Sequence, residues 1–163
     1  MKATAGSELL QLVTFKLGDE EFAVDILKVQ EVNRMVDITA VPNAPGSLEG
    51  VMNLRGKVIP VYNLRKKLGL EARDADGQSR IMVVDTGATV GLMVDSVQEV
   101  LRLPSETVEP PPLLSSGNGD GFVKGIGKLE DRLVILLDLD RLLGSGAEGD
   151  AAASPSRTGR GSP

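Results

Sequence analysis

An all-β fold arranged as two small barrels is what this sequence predicts, and three observations carry the prediction. The stretch 50–69, GVMNLRGKVIPVYNLRKKLG, recurs without a gap at 125–144 as GIGKLEDRLVILLDLDRLLG. The tetrapeptide VQEV occurs at 29–32 and again at 97–100, each time shortly after a Val-Asp pair, Val24-Asp25 and Val94-Asp95. Short apolar runs separated by Gly, Pro and Asp turns fill the rest, the pattern of many brief strands. An internal copy means two similar substructures. The chain has 163 residues, 41% of them hydrophobic. That suits one compact domain or two closely packed subdomains, since cores this small gain from a shared interface.

Taken in order, residues 1–7 read as a flexible lead-in. Val13, Phe15 and Leu17 then alternate with Thr14 and Lys16, a strand with one buried face. Gly18-Asp19-Glu20 turns the chain and 21–24 returns as the partner strand. The VQEV strand follows, and Pro42 and Pro45 keep the connection 37–48 extended. In the copied module, 51–54 and 57–61 form a hairpin about Arg55-Gly56, where Gly56 is free to take a positive φ. Asn63, matched by Asp138, caps a short helix on which Leu64 and Leu68 share a face, and Gly69 stops it. Residues 71–79 form a polar link.

The second half opens with a hairpin, 80–84 and 90–94, around Gly87. Leu101-Arg102-Leu103 extends the second VQEV strand, and 110–121 is a connection mobile around Gly-Asn-Gly. The run 133–137 is apolar throughout and is expected to be buried on both faces. Its counterpart carries Pro60, which belongs on an edge strand or at a bulge. The Ala-, Gly-, Ser- and Pro-rich tail 145–163 is expected to be disordered.

Composition closes off much chemistry. The sequence has no Cys and no His. Thiol catalysis, disulfides, Ser-His-Asp hydrolysis, His-ligated zinc and a phosphohistidine relay are thereby excluded. A formal charge of −5 with three Phe, one Tyr and no Trp argues against nucleic-acid binding. No apolar run reaches the roughly 18 residues of a membrane span, and MKATAGSELL lacks a signal-peptide core, so a cytoplasmic location is expected.

The sharpest enzymatic pattern is Asp85-Thr86-Gly87-Ala88, the D-T-G-A loop of aspartic proteases, whose chemistry needs two such carboxylates sharing a proton. No second D-[ST]-G occurs, and the matching first-half turn, Leu17-Gly18-Asp19, lacks the pattern. A hairpin turn is the better account. Asp25 and Asp95 could form a carboxylate pair by pseudosymmetry, but turn capping explains them more simply. Metal and cofactor sites are not expected: the acidic run 19–21 lacks calcium-loop spacing, and 117–121 is not a phosphate loop.

The informative cluster is basic. Arg55, Lys57, Arg65, Lys66 and Lys67 stand together in an acidic chain. Helix C-terminal charge explains the lysines. It does not explain Arg55, which sits at a hairpin tip where the copy has Glu130. Arg55 is therefore a contact candidate, because a rigidly held guanidinium suits bidentate recognition. Val29 and Val32 lie three apart on a strand and so face opposite ways. One of them belongs to the core, and the other, beside Glu31, offers a docking surface.

Together, FKLGDEEFAVDILKVQEV (15–32), VPNAP (41–45), the two module copies and VGLMVDSVQEVLRL (90–103) resemble the CheW family of chemotaxis coupling proteins. The resemblance runs from Leu9 to Leu143 and implies one domain at 8–144, with intertwined halves 8–70 and 79–144. It implies two five-stranded SH3-like barrels, no catalysis, no cofactor, and an adaptor that joins methyl-accepting chemoreceptor tips to the histidine kinase CheA. The kinase's regulatory domain resembles the same family, so barrel-to-barrel contacts with it, and with further copies of the family, build rings in arrays anchored at the membrane. By position, Val29, Glu31 and Val32 fall in the kinase-contact segment. Gly50, Asn53, Arg55 and Gly56 fall where receptor coupling is sensitive, and the groove between subdomains, including Val84 and Val100, takes receptor helices. The alternative within the same fold is a coupling module of a non-chemotaxis array.

Overall fold

A computed structural model describes residues 8–111 and 121–143. The expected lead-in 1–7, the Gly-Asn-Gly of the second connection, the stop at Gly144 and the tail 145–163 lie outside the described residues. Among the described residues eleven strands form two sheets. They are β1 (Leu9–Leu17), β2 (Glu20–Asp25), β3 (Val29–Arg34), β4 (Leu48–Leu54), β5 (Lys57–Asn63), β6 (Arg80–Asp85), β7 (Thr89–Val94), β8 (Ser96–Pro104), β9 (Val108–Glu109), β10 (Val123–Lys128) and β11 (Leu133–Leu137).

The first sheet runs β3-β6-β7-β5-β4 and the second β8-β1-β2-β11-β10-β9. Each sheet therefore takes the opening hairpin of one sequence half and the VQEV strand and module of the other. The two are built alike. β6 pairs antiparallel with β3 and β7 runs parallel to β5, just as β1 pairs with β8 and β2 runs parallel to β11. Exchange of hairpins is what intertwines the barrels.

Both barrels close the same way, by the chain that follows a VQEV strand. In the first, Thr39 and Val51 exchange two backbone hydrogen bonds of 2.9 Å. In the second, β9 pairs with β10 at Glu109 and Ile126. The closure explains the glycine that opens each module. A Cβ at Gly50 would overlap the Thr39 carbonyl oxygen and lie 2.9 Å from Ile38 Cγ2; one at Gly125 would lie 2.7 Å from the Glu109 carbonyl oxygen. Backbone approaches backbone there, and only hydrogen fits.

Burial follows from this arrangement. Met52, Ile59, Val61, Ile81 and Val83 fill the first barrel, and Leu12, Ala23, Leu103, Val134 and Leu136 the second. A third, larger core lies between them, where Phe15 stacks on Phe22 at 5.8 Å and β1 and β2 meet β6 and β7. β1 was expected to bury one face, yet Leu12 and Thr14 are buried as well as Val13 and Phe15. With a barrel interior on one side and the shared core on the other, it has no solvent face at its centre. β11 departs in the opposite sense. Leu133 is 60% exposed because it precedes the pairing with β2, which starts at Ile135.

Pro60, expected at an edge or bulge, lies in β5 between β4 and β7. It is tolerated there because the ladder to β7 begins only at Val61 and its opposite residue, Val51, bonds Thr39 instead. The helix Leu64–Lys67 is capped as expected, with Asn63 Oδ1 accepting from the Lys66 N–H at 3.3 Å. It ends in the paired bonds Leu70 N–H to Arg65 O and Gly69 N–H to Lys66 O, which satisfy its last carbonyls. Asp138 caps the copied helix through the Arg141 N–H at 3.1 Å.

Candidate interaction surface

β3 carries a bulge between Val29 and Glu31. Its burial then alternates: Val29, Glu31 and Asn33 are half-buried, while Gln30, Val32 and Arg34 are exposed. Val29, opposite Val84, packs against the shared core; Val32, opposite Met82, lies on that same face but stands 40% exposed. The two valines were expected to face opposite ways, but the bulge absorbs one residue of the spacing and brings both to one face.

The β4–β5 turn is the two-residue turn expected at Arg55-Gly56, and Arg55 shares the positive φ expected of Gly56 alone. Arg55 and Gly56 both have positive φ, 50° and 87°, the two-residue type I′ geometry whose twist matches the strands. Asn53 Oδ1 accepts the Gly56 N–H at 2.7 Å and braces the loop. A type I′ turn prefers Asn or Gly at its first central position, and an arginine there opposes the left-handed backbone. Arg55 is held in it with its guanidinium 71% exposed.

That guanidinium grips Glu31 with two parallel bonds, Nη1 to Oε1 at 3.2 Å and a shorter one from Nη2 to Oε2. The Arg55 hydrogen bonds hold the Glu31 carboxyl below the usual carboxylate range. Arg55 and Glu31, from the segments 50–56 and 29–32, thus meet at the surface. The second barrel repeats the device in altered form. Glu99, the copy of Glu31, accepts from Arg132 Nη2 at 2.7 Å, and Arg132 Nε donates to the buried Glu21 at 2.7 Å. There the arginine stands two residues later along the module, so it is tucked against the barrel instead of projecting from the tip.

The remaining expected positions separate. Gly50 is buried under Thr39, so any effect it has on a partner passes through barrel closure. Val100 is 54% exposed on β8. Val84 was expected to line a groove between subdomains, but it is fully buried in the shared core opposite Val29. The space between the barrels is packed solid at that point, and Val84 offers no atom to a partner.

A second charged cluster escaped sequence reasoning. Asp95 joins β7 to β8 at the crossing between barrels. It accepts from Arg65 Nε at 3.0 Å and Nη2 at 2.6 Å, from Arg73 at 3.0 Å and from the Gly18 N–H at 2.6 Å. These bonds, Arg65's first, lower its pKa. The signal available was Arg65 itself, grouped with the helix lysines but in fact nearly buried, its side chain 12% exposed. The enzymatic candidates serve as turn formers. Asp85 accepts the Gly87 N–H at 2.9 Å, and Asp25 accepts the Leu27 N–H at 2.9 Å. Asp25 and Asp95 hold different partners and do not meet. Among the described residues no three acidic side chains converge on a metal site, and no helix is long and apolar enough to cross a membrane.

Comparison with known proteins agrees with this architecture. A family profile described as "CheW-like domain" matches residues 11–147. The chemotaxis protein CheW of Klebsiella aerogenes is 37% identical over 143 residues, covering 87% of this chain and 84% of that protein. Protein FrzA of Myxococcus xanthus is 32% identical over 133 residues, covering 79% and 82%. The crystal structure of the scaffolding protein TtCheW from Thermoanaerobacter tengcongensis superposes with a TM-score of 0.77 at 39% identity, covering 83% of this chain and 93% of that one. With twin interleaved barrels and a profile spanning most of its length, the chain belongs to the CheW-like domain family.

Proposed function

We propose that this protein is a non-catalytic chemotaxis adaptor that couples chemoreceptor tips to the histidine kinase CheA in arrays at the membrane. The single observation that carries the reading is Arg55. An exposed arginine held against its backbone preference at one module tip, and absent from the corresponding tip, Glu130-Asp131, is retained for recognition and not for folding. Val32 and Glu31 present the kinase-facing surface beside it, and Val29 ties the same strand to the shared core. Asn53 and Gly56 fix the direction in which Arg55 points, and Gly50 holds β4 against the closing segment. Val100 offers a second apolar contact on the other barrel.

Because Arg55 and Glu31 are bonded to each other, a receptor group that takes the guanidinium frees the carboxylate next to the kinase surface. One partner thereby changes what the other meets. Reconstituted arrays of receptor, CheA and this protein test the reading. Arg55→Ala is expected to melt like the wild type and to lose most receptor-dependent kinase activation. Full activation by that variant overturns the assignment of Arg55.

A further inference from the structure

The two VQEV strands extend alike, as VQEVNR (29–34) and VQEVLR (97–102), and each presents an exposed valine and then an exposed arginine. Their neighbours differ. Arg102 stands opposite neutral Gln11, whereas Arg34 stands directly opposite Arg80 in the β3–β6 ladder. Directly opposed residues hold their Cβ atoms about 5 Å apart, and like charges so placed destabilise a sheet. Among the described residues no carboxylate pairs with Arg34. Arg80 Nη1 donates to the carbonyls of Gly77 and Ser79, at 3.0 and 2.8 Å, which orients the group without neutralising it. The carboxylate closest in sequence to Arg80, Asp76, is taken up by the Gln78 N–H, Ser79 and Arg73. The second barrel shows that the fold does not need two arginines at this place.

Arg34 and Arg80 border a shallow depression of about 360 Å³, which Met35, Ser79 and the already bonded Asp76 also line. Val32, 40% exposed, lies two residues before Arg34 on the same side of β3, and Val36, 44% exposed, lies two beyond. We infer that Arg34 and Arg80 form a receptor for a carboxylate side chain on the partner protein that covers Val32, and that this pair distinguishes the first barrel's outer strand from its copy. A carboxylate between two guanidiniums turns a repulsion into two charge-assisted contacts. An apolar–cationic–apolar strip calls for a partner edge with an acidic residue flanked by apolar ones. The inference rests on the reading that Val32 meets the kinase, and the test separates the two.

Full-length protein is titrated with CheA by calorimetry at low and high salt. Arg34→Gln and Arg80→Gln are each expected to weaken binding about tenfold at low salt, as loss of a charge-assisted contact does. The difference should shrink as salt rises. Arg102→Gln should bind as the wild type, and Arg80→Gln, which recreates the neutral pairing of the second barrel, should melt no lower than the wild type. Binding within twofold for both Arg34→Gln and Arg80→Gln, or an equal loss in Arg102→Gln, overturns the inference. If those two variants bind normally while Val32→Ser does not, the kinase surface stands and the carboxylate receptor alone falls. If the wild type does not bind CheA, both fall.

Discussion

Replacing Gly50 by alanine separates folding from contact at a position the coupling reading groups with Arg55. The added methyl would overlap the Thr39 carbonyl oxygen and lie 2.8 Å from the Thr39 carbonyl carbon and 2.9 Å from Ile38 Cγ2. The nearest atoms are backbone, so no rotamer change relieves the clash. The closing segment must withdraw from β4, breaking the two 2.9 Å hydrogen bonds between Thr39 and Val51. Two backbone bonds contribute about 1–3 kcal/mol together. Displacing a packed segment adds roughly 1–3 kcal/mol. A loss of about 2–6 kcal/mol should lower the melting temperature by roughly 4–24 °C in a domain of this size. Thermal and urea melts followed by circular dichroism read this directly, with Gly125→Ala as the comparison in the other barrel, where a Cβ would lie 2.6 Å from Val108 Cγ1 and 2.7 Å from the Glu109 carbonyl oxygen, a milder overlap that predicts a smaller loss. A Gly50→Ala protein that melts within a degree or two of the wild type refutes the closure argument and makes Gly50 a direct contact.

Three further variants test separate parts of the account. Arg55→Asn places the preferred Asn-Gly pair in the type I′ turn, so the melting temperature should hold or rise by up to about 4 °C while receptor coupling is lost; a drop of several degrees refutes the turn argument. Asp95→Asn should cost about 2–3 kcal/mol, since it leaves the nearly buried Arg65 without its anion. Because the folded-state pKa of Asp95 is depressed, its contribution is fully present above the unfolded value near 3.9 and fades as pH falls below that; wild type and Asp95→Asn melts should converge only below about pH 4, and convergence already at pH 6 counts against the clasp. Val84→Ala should cost about 2 kcal/mol by leaving a cavity in the shared core, and an undiminished urea midpoint would return Val84 to the surface.

Much of the fold was legible because duplication was written into the chain. The module hairpins, their caps at Asn63 and Asp138 and the glycines at 50 and 125 stand where the repeat put them, since each depends on local chemistry. Hairpin exchange was legible only through family resemblance. β1 and β6 are both apolar runs, and nothing local tells which barrel each joins. Val84 was misplaced for a related reason. In Ile81-Met82-Val83-Val84 every side chain is buried, alternately in the first barrel and in the shared core, so the sequence carries no alternation to show which face meets solvent.

The candidate surface divided along the same line. The spacing of Val29 and Val32 misled, because the bulge between them is not written in VQEV, whereas the contrast between Arg55 and Glu130 marked one tip as different. The partner of Arg55 was hidden, because Glu31 lies 24 residues away and is brought near only by barrel closure. Arg65 and Asp95, 30 residues apart, form their clasp for the same reason. Long-range charge pairing depends on topology, and composition does not encode it.

The central claim is that twin barrels with unequal exteriors hold two partners together. Co-sedimentation of this protein with membranes bearing a receptor, with CheA, and with both at once measures it most directly. The account predicts that the protein carries CheA into the pellet only when receptor is present and is itself retained in that ternary complex. Displacement of the protein from the receptor by CheA, or binding to neither, would contradict it.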